Sequence, residues 1–254
     1  HEPRARDALM SAALLLGVFA PAAVLHGMVG IGFPLITTAA LALFMPMPQA
    51  VALTLLPTLL LNLASLLPLH SLPAVIRRYA LLALASVVGS LLGVYLLLIL
   101  PAAWLQLALA LATGFYVLHS LRRDLPAPPR GLPATLLLGL LAGVVGGATN
   151  AMSSILMMVL LAQSRDRHEI AQTANLCFAL SNLVQLVVLW PVLQTLPLGW
   201  GMMGALCLVA IIGLLAGLAL RQRMAFRHFR LLCLLVLSVL ALLMGWRGLQ
   251  GLLG

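Results

Sequence analysis

Long apolar stretches, interrupted by brief clusters of Arg, Pro and Gly, run from one end of the chain to the other. About 20 apolar residues in helical form cross the hydrocarbon of a bilayer. Read for runs of that kind, the chain divides into ten apolar pieces, at 9–25, 33–45, 50–69, 79–99, 101–119, 132–146, 151–163, 171–192, 200–220 and 229–250. In order they read short, short, long, long, long, and then the same again. The short pieces of each pair are parted by Gly-rich sequence, HGMVGIGFP at 26–34 and AGVVGGATN at 142–150. Gly and Pro break helices and free backbone polar groups, which hydrocarbon cannot satisfy. Such backbone is tolerated at membrane depth only where protein or a water-filled cavity surrounds it. Two breaks in equivalent places predict one shared site near the midplane.

Composition turns this pattern into a class. The chain of 254 residues is 63% hydrophobic and 7% charged, with a mean hydropathy of +1.16. That excludes a soluble domain and predicts an all-α polytopic membrane protein. The run at 8–25 is followed by more membrane-like sequence rather than by a polar mature chain, so it does not read as a secretory signal. The first seven residues, which open with His rather than Met, carry no weight in the reading.

Charge gives the orientation. All 14 basic residues are Arg, and the net charge is +9. Arg77 and Arg78 share one loop, Arg122, Arg123 and Arg130 a second, Arg165 and Arg167 a third, and Arg221, Arg223, Arg227 and Arg230 a fourth. Short basic loops of this kind mark the inner face of a membrane and not a nucleic-acid partner. With those loops inside, 50–69 runs from outside to inside and its counterpart 171–192 from inside to outside. The halves 1–125 and 126–254 then form two inverted repeats, each a short broken-helix or re-entrant pair followed by three long transmembrane helices. Whether 9–45 and 132–163 cross fully or turn back stays open. Arg4 and Arg6 fall outside in this scheme, partly offset by Glu2 and Asp7. The duplication is echoed in sequence, where Gly27 aligns with Gly143, Gly30 with Gly146 and Thr54 with Thr173.

The polar residues gather near the breaks. Thr37 and Thr38 follow the first, and Thr149, Asn150, Ser153 and Ser154 belong to the second. Thr54, Thr58, Asn62 and Ser65 share one helical face of the next span, as Gln172, Asn175, Asn182 and Gln185 do in the other half. Asn and Gln are costly against lipid, so these faces are expected to point inward. The residue after each break starts a short helix whose first amides lack partners and carry the positive end of the dipole, which suits an anion. Substrate oxygens are therefore expected at backbone amides near Gly30, Gly32, Gly146, Gly147 and Thr149. Thr37, Asn62, Asn150, Ser153, Asn175 and Asn182 are the expected side-chain partners. His26 is the one ionisable side chain beside a break, and reads as a proton-sensitive gate, a substrate ligand or a hydrogen-bonded structural histidine. His70, His119, His168 and His228 lie at span ends.

The five carboxylates, Glu2, Asp7, Asp124, Asp166 and Glu169, all lie outside the apolar pieces. This disfavours a cation pump, which holds its ion on a buried carboxylate, and a hydrolase, which needs a nucleophile with a base or a metal cluster. Cys177, Cys207 and Cys233 show neither CxxC spacing nor a ligand pattern, so no metal, disulfide or cofactor is expected. A neutral, hydrogen-bonding site favours a small anion that must also leave again.

The motifs HGMVGIGFPLITTAAL followed by PMPQAVALTLLPTLLLNLASL, and AGVVGGATNAMSSILMMVL followed by SRDRHEIAQTANLCFALSNLVQLVV, resemble the two glycine-led repeats of the sulfite exporter TauE/SafE family. The first copy departs from that pattern in a shortened glycine run interrupted by Phe33. The second lacks the proline and carries Thr149 and Asn150 where glycines stand in the pattern. The resemblance implies export of sulfite, or of an organosulfonate such as sulfoacetate or taurine, across a bacterial inner membrane, with proton coupling left open. Alternating access of one half against the other is the expected mechanism. The competing readings are a channel-like facilitator on the same fold and a membrane enzyme acting on lipid phosphates. The expected partners are the small anion and the lipid bilayer, with no nucleic acid and with a homodimer left open.

Overall fold

The computed structural model describes residues 2–30, 32–67, 69–122, 131–196, 198–223 and 226–253. Each apolar piece of the sequence carries a helix. In order they are α1 (Glu2–Val29), α2 (Phe33–Leu41), α3 (Met47–Ala64), α4 (Leu72–Ile99), α5 (Ala102–Leu121), α6 (Leu132–Thr149), α7 (Ser153–Gln163), α8 (Arg167–Thr195), α9 (Trp200–Arg223) and α10 (Phe226–Leu253). A single 3-10 turn, Leu69–Ser71, precedes α4. Among the described residues there is no strand. Pro opens α2, α3, α4 and α6, where its missing N–H costs no helical bond. Asp166 caps α8 by accepting the amide of His168 at 2.8 Å.

Seven of the described helices, α3 to α6 and α8 to α10, are long and apolar enough to cross a membrane. Exposed Leu, Val and Trp side chains cover their outer faces, as at Leu111, Val187 and Leu242. The chain is therefore a multi-pass membrane protein. Inside the bundle, α3 and α8 lie side by side, and α3 is buried without interruption from Ala50 to Leu55.

The glycine runs hold both helices and breaks. The sequence suggests helix ends at residues 25 and 146, but α1 continues to Val29 and α6 to Thr149. Gly27 and Gly143 remain helical because a neighbouring backbone lies where their side chains would be. A Cβ on Gly27 would strike the carbonyl of Leu214 in α9, and one on Gly143 that of Ser86 in α4. The same crossings place Gly217 against Val24 and Gly89 against Leu140. Small residues let membrane helices approach this closely, so dispersion contacts run along the whole crossing. The actual breaks come later. Gly30 and Gly32 have φ of 88° and 115°, and Asn150 has φ of 61°.

Two glycine substitutions separate these roles. Gly143→Ala is expected to destabilise the protein by about 1–3 kcal/mol, because the added methyl drives α4 and α6 apart. Gly114→Ala in α5, with nothing within 4 Å of the new Cβ, is expected to leave stability unchanged or raise it slightly. Thermal unfolding of the detergent-solubilised protein checks both signs.

Candidate functional site

The second break is built around Asn150. It follows the last helical residue of α6 in the left-handed conformation, which Asn adopts more readily than any other residue with a Cβ except Asp. Its amide N–H donates to the carbonyl of Gly146 at 2.8 Å. Its side-chain Nδ2 donates to Thr38 Oγ1 at 3.0 Å in α2 and to Thr54 Oγ1 at 2.8 Å in α3. Its Oδ1 accepts from Gln185 Nε2 of α8 at 2.9 Å. Gln185 Nε2 also lies 3.2 Å and 3.1 Å from the carbonyls of Gly146 and Gly147. Both carbonyls belong to the last turn of α6, and that of Gly146 also takes the Asn150 amide. One side chain thus ties the broken pair of the second half to two helices of the first.

The first break is held differently. Gly30 N–H donates to the carbonyl of His26 at 2.6 Å. His26 Nδ1 accepts the amide of Phe33 at a long 3.4 Å, and the Phe33 ring stands edge-on to both His26 and Phe19. Pro34 then opens α2 without a donor of its own. Thr37 turns back on the helix, donating to the carbonyl of Phe33 at 2.7 Å.

Between the two breaks lies a small cavity. The first half contributes His26, Gly32, Pro34, Thr58 and Asn62 to its wall; the second contributes Gly146, Asn150, Met152, Ser153, Phe178, Ser181, Asn182 and Gln185. Ser181 is fixed by a 2.6 Å hydrogen bond to Ser90 of α4. Three wall groups have no protein partner: Asn62 Nδ2, Asn182 Nδ2 and Thr58 Oγ1. The residues that carry them are 1%, 6% and 2% exposed. Burying donors without partners costs free energy, roughly 1–3 kcal/mol for each. Polar atoms of this kind in a cavity wall are the groups a ligand satisfies.

The expected site residues separate accordingly. His26, Gly32, Asn62, Gly146, Asn150, Ser153 and Asn182 meet at the cavity. Gly30, Thr37, Gly147, Thr149 and Asn175 are not part of its wall. Thr149 bonds the carbonyl of Val145 and Asn175 that of Ala171, each on its own helix. Gly147 packs on Ser90 of α4. The expected cradle of backbone amides at 146–149 is corrected by the helix itself, since those residues still belong to α6 and their N–H groups bond within it. The unpartnered donors at the cavity are instead side-chain groups, Asn62 Nδ2, Asn182 Nδ2 and Thr58 Oγ1. Thr58 and Gln185 lie on the polar stripes visible in the sequence, whereas Met152, Phe178 and Ser181 carry no sequence signal of their own.

Toward the Arg-bearing loops, α3 and α8 are latched. Gln172 Nε2 donates to the carbonyl of Leu66 at 2.9 Å, and Ser71 Oγ donates to Gln172 Oε1 at 2.8 Å. Arg78 pairs with Glu169 at 2.8 Å just beyond.

Asn150 has two separable roles, a backbone conformation and a set of bonds. Asn150→Gly keeps the left-handed turn and loses the bonds to Thr38, Thr54 and Gln185. Asn150→Ala loses both, and is expected to be less stable than the Gly variant by about 1–2 kcal/mol. Thermal unfolding of the two variants side by side measures the difference.

No curated protein and no solved structure matches the chain. The family model described as sulfite exporter TauE/SafE matches residues 13–244, nearly its whole length. With this match, and with ten α-helices among the described residues, the chain belongs to the TauE/SafE sulfite exporter family of membrane transporters.

Proposed function

We propose that this protein exports a small sulfur-containing anion, sulfite or a small organosulfonate, across the bacterial inner membrane by alternating access. The observation that carries the reading is the trio of buried, unpartnered donors, Asn62 Nδ2, Asn182 Nδ2 and Thr58 Oγ1, in one cavity wall. Two of them come from α3 and one from α8, so the anion bridges the halves. A site held by neutral donors binds an anion and releases it again.

An inverted duplication underlies the mechanism we propose, and the glycine crossings support it. Gly27 meets Leu214 as Gly143 meets Ser86, and Gly217 meets Val24 as Gly89 meets Leu140. The corresponding positions are offset by a constant 116 residues between α1 and α6 (27 to 143, 24 to 140) and by a constant 128 between α4 and α9 (86 to 214, 89 to 217). In this scheme the Gln172 latch closes the inner side of the site, and opening requires α8 to part from Leu66 and Ser71. His26 is the proton-sensitive gate, because a proton on Nδ1 removes the acceptor of the Phe33 amide where α2 begins.

Uptake of labelled sulfite and taurine into proteoliposomes, with and without a pH gradient, tests the reading. Asn62→Leu and Asn182→Leu are each expected to lower uptake at sub-saturating substrate by about 10- to 100-fold, the value of one hydrogen bond to a charged group. His26→Gln is expected to keep uptake of taurine, which carries no transferable proton of its own at neutral pH, and to lose its dependence on the gradient. Undiminished flux in both Asn variants rejects the site.

A further inference from the structure

The cavity wall mixes polar and apolar groups. Its partnerless donors are two carboxamides and a hydroxyl, all neutral dipoles. Among the described residues no Arg, Asp or Glu reaches its wall, the chain contains no Lys, and the His26 ring in the wall is uncharged while its Nδ1 accepts the Phe33 amide. The remaining wall includes the apolar Pro34, Met152 and Phe178. The carboxamide oxygen of Asn150 is consumed by Gln185, so its acceptor charge is already neutralised by a donor.

The energetics of such a site depend on the ligand's charge in a definite way. The cost of taking an ion out of water rises with the square of its charge, so a dianion costs about four times as much as a monoanion of equal size. The attraction of fixed neutral dipoles rises only in proportion to charge, about twofold for the same change. A cationic residue in the wall would offset the difference, as the guanidinium of Arg does in sites for phosphate and other multiply charged oxyanions. The described wall has none.

We infer that the cavity selects singly charged oxyanions and rejects doubly charged ones. This rests on the reading of the cavity as the substrate site and narrows its ligands. The species taken from a sulfite pool is hydrogensulfite, and sulfonates that carry one negative group and no other charge remain ligands. Sulfite dianion, sulfate and sulfoacetate, which carries a second charge on its carboxylate, are excluded. A further consequence is that hydrogensulfite carries its own proton through the protein, so each sulfur exported in this form moves one acid equivalent without a proton-binding side chain.

The test is a charge series at constant shape. Methanesulfonate, sulfamate and sulfate are tetrahedral oxyanions of similar size. The first two carry one charge, with an apolar and a polar substituent respectively, and the third carries two. Binding of their sodium salts to the full-length protein in nanodiscs is measured by titration calorimetry at fixed ionic strength and neutral pH, for the wild type and for Asn182→Leu. The expected result is binding of methanesulfonate and sulfamate at least 100-fold tighter than sulfate, weakened at least tenfold in the variant. Comparable affinity for all three overturns the charge selection and leaves the cavity standing as an oxyanion site. Binding of none of them, by protein whose unfolding transition is intact, overturns the reading of the cavity itself. Selective binding of the monoanions that Asn182→Leu leaves unchanged places selection elsewhere and overturns the inference.

Discussion

Inside a bilayer a polar group finds partners only within the protein. The arrangement of this chain follows from that constraint. A helix that stops at membrane depth strands its last carbonyls and exposes the amides of whatever follows. Here α6 stops, and Asn150 and Gln185 supply what the stop leaves unsatisfied, using the hydroxyls of Thr38 and Thr54 as further partners. The helices that donate these groups are thereby committed to their places around the break.

The same constraint makes the unsatisfied groups informative. Most polar side chains in the core turn back on their own helix or find a neighbour, as Thr37, Thr149, Asn175 and the Ser90–Ser181 pair do. Asn62, Asn182 and Thr58 break this rule together in one cavity wall, whereas Thr113 and Ser154 break it singly elsewhere. A transporter has a reason to keep such groups. A donor satisfied by the protein in every state contributes nothing to binding, and a donor with no partner favours any ligand that supplies one. In the proposed site the absence of a full charge from the described wall limits how tightly an anion is held, and release matters as much as capture in transport.

Much of this was legible in the sequence because bilayer thickness and helix rise are fixed. Runs of apolar residues gave the ten helices, and the spacing of Asn62 and Asn182 along their spans marked the inward faces of α3 and α8. Glycine was harder to read. In a membrane helix it serves either to break the chain or to admit a neighbour, and Gly27 and Gly143 do the second while Gly30 and Gly32 do the first. Sequence alone does not separate these uses, so the breaks lie a few residues later than the glycine runs suggest. Asn175 shows the same limit at the site. Its type and spacing match those of Asn182, yet its amide bonds the carbonyl of Ala171, a choice made by rotamer and packing. The bonds from Asn150 to Thr38 and Thr54 span 112 and 96 residues, and no local pattern announces them.

The central claim is that the amides of Asn62 and Asn182 face the transported anion. Selenite, the selenium analogue of sulfite, tests it most directly, because selenium scatters anomalously and can be located without interpretation of shape. Crystals of the protein soaked in selenite are predicted to show an anomalous peak inside the cavity, its oxygens within hydrogen-bonding distance of Asn62 Nδ2 and Asn182 Nδ2. Peaks confined to the Arg-bearing loops, with none between α3 and α8, would contradict the account.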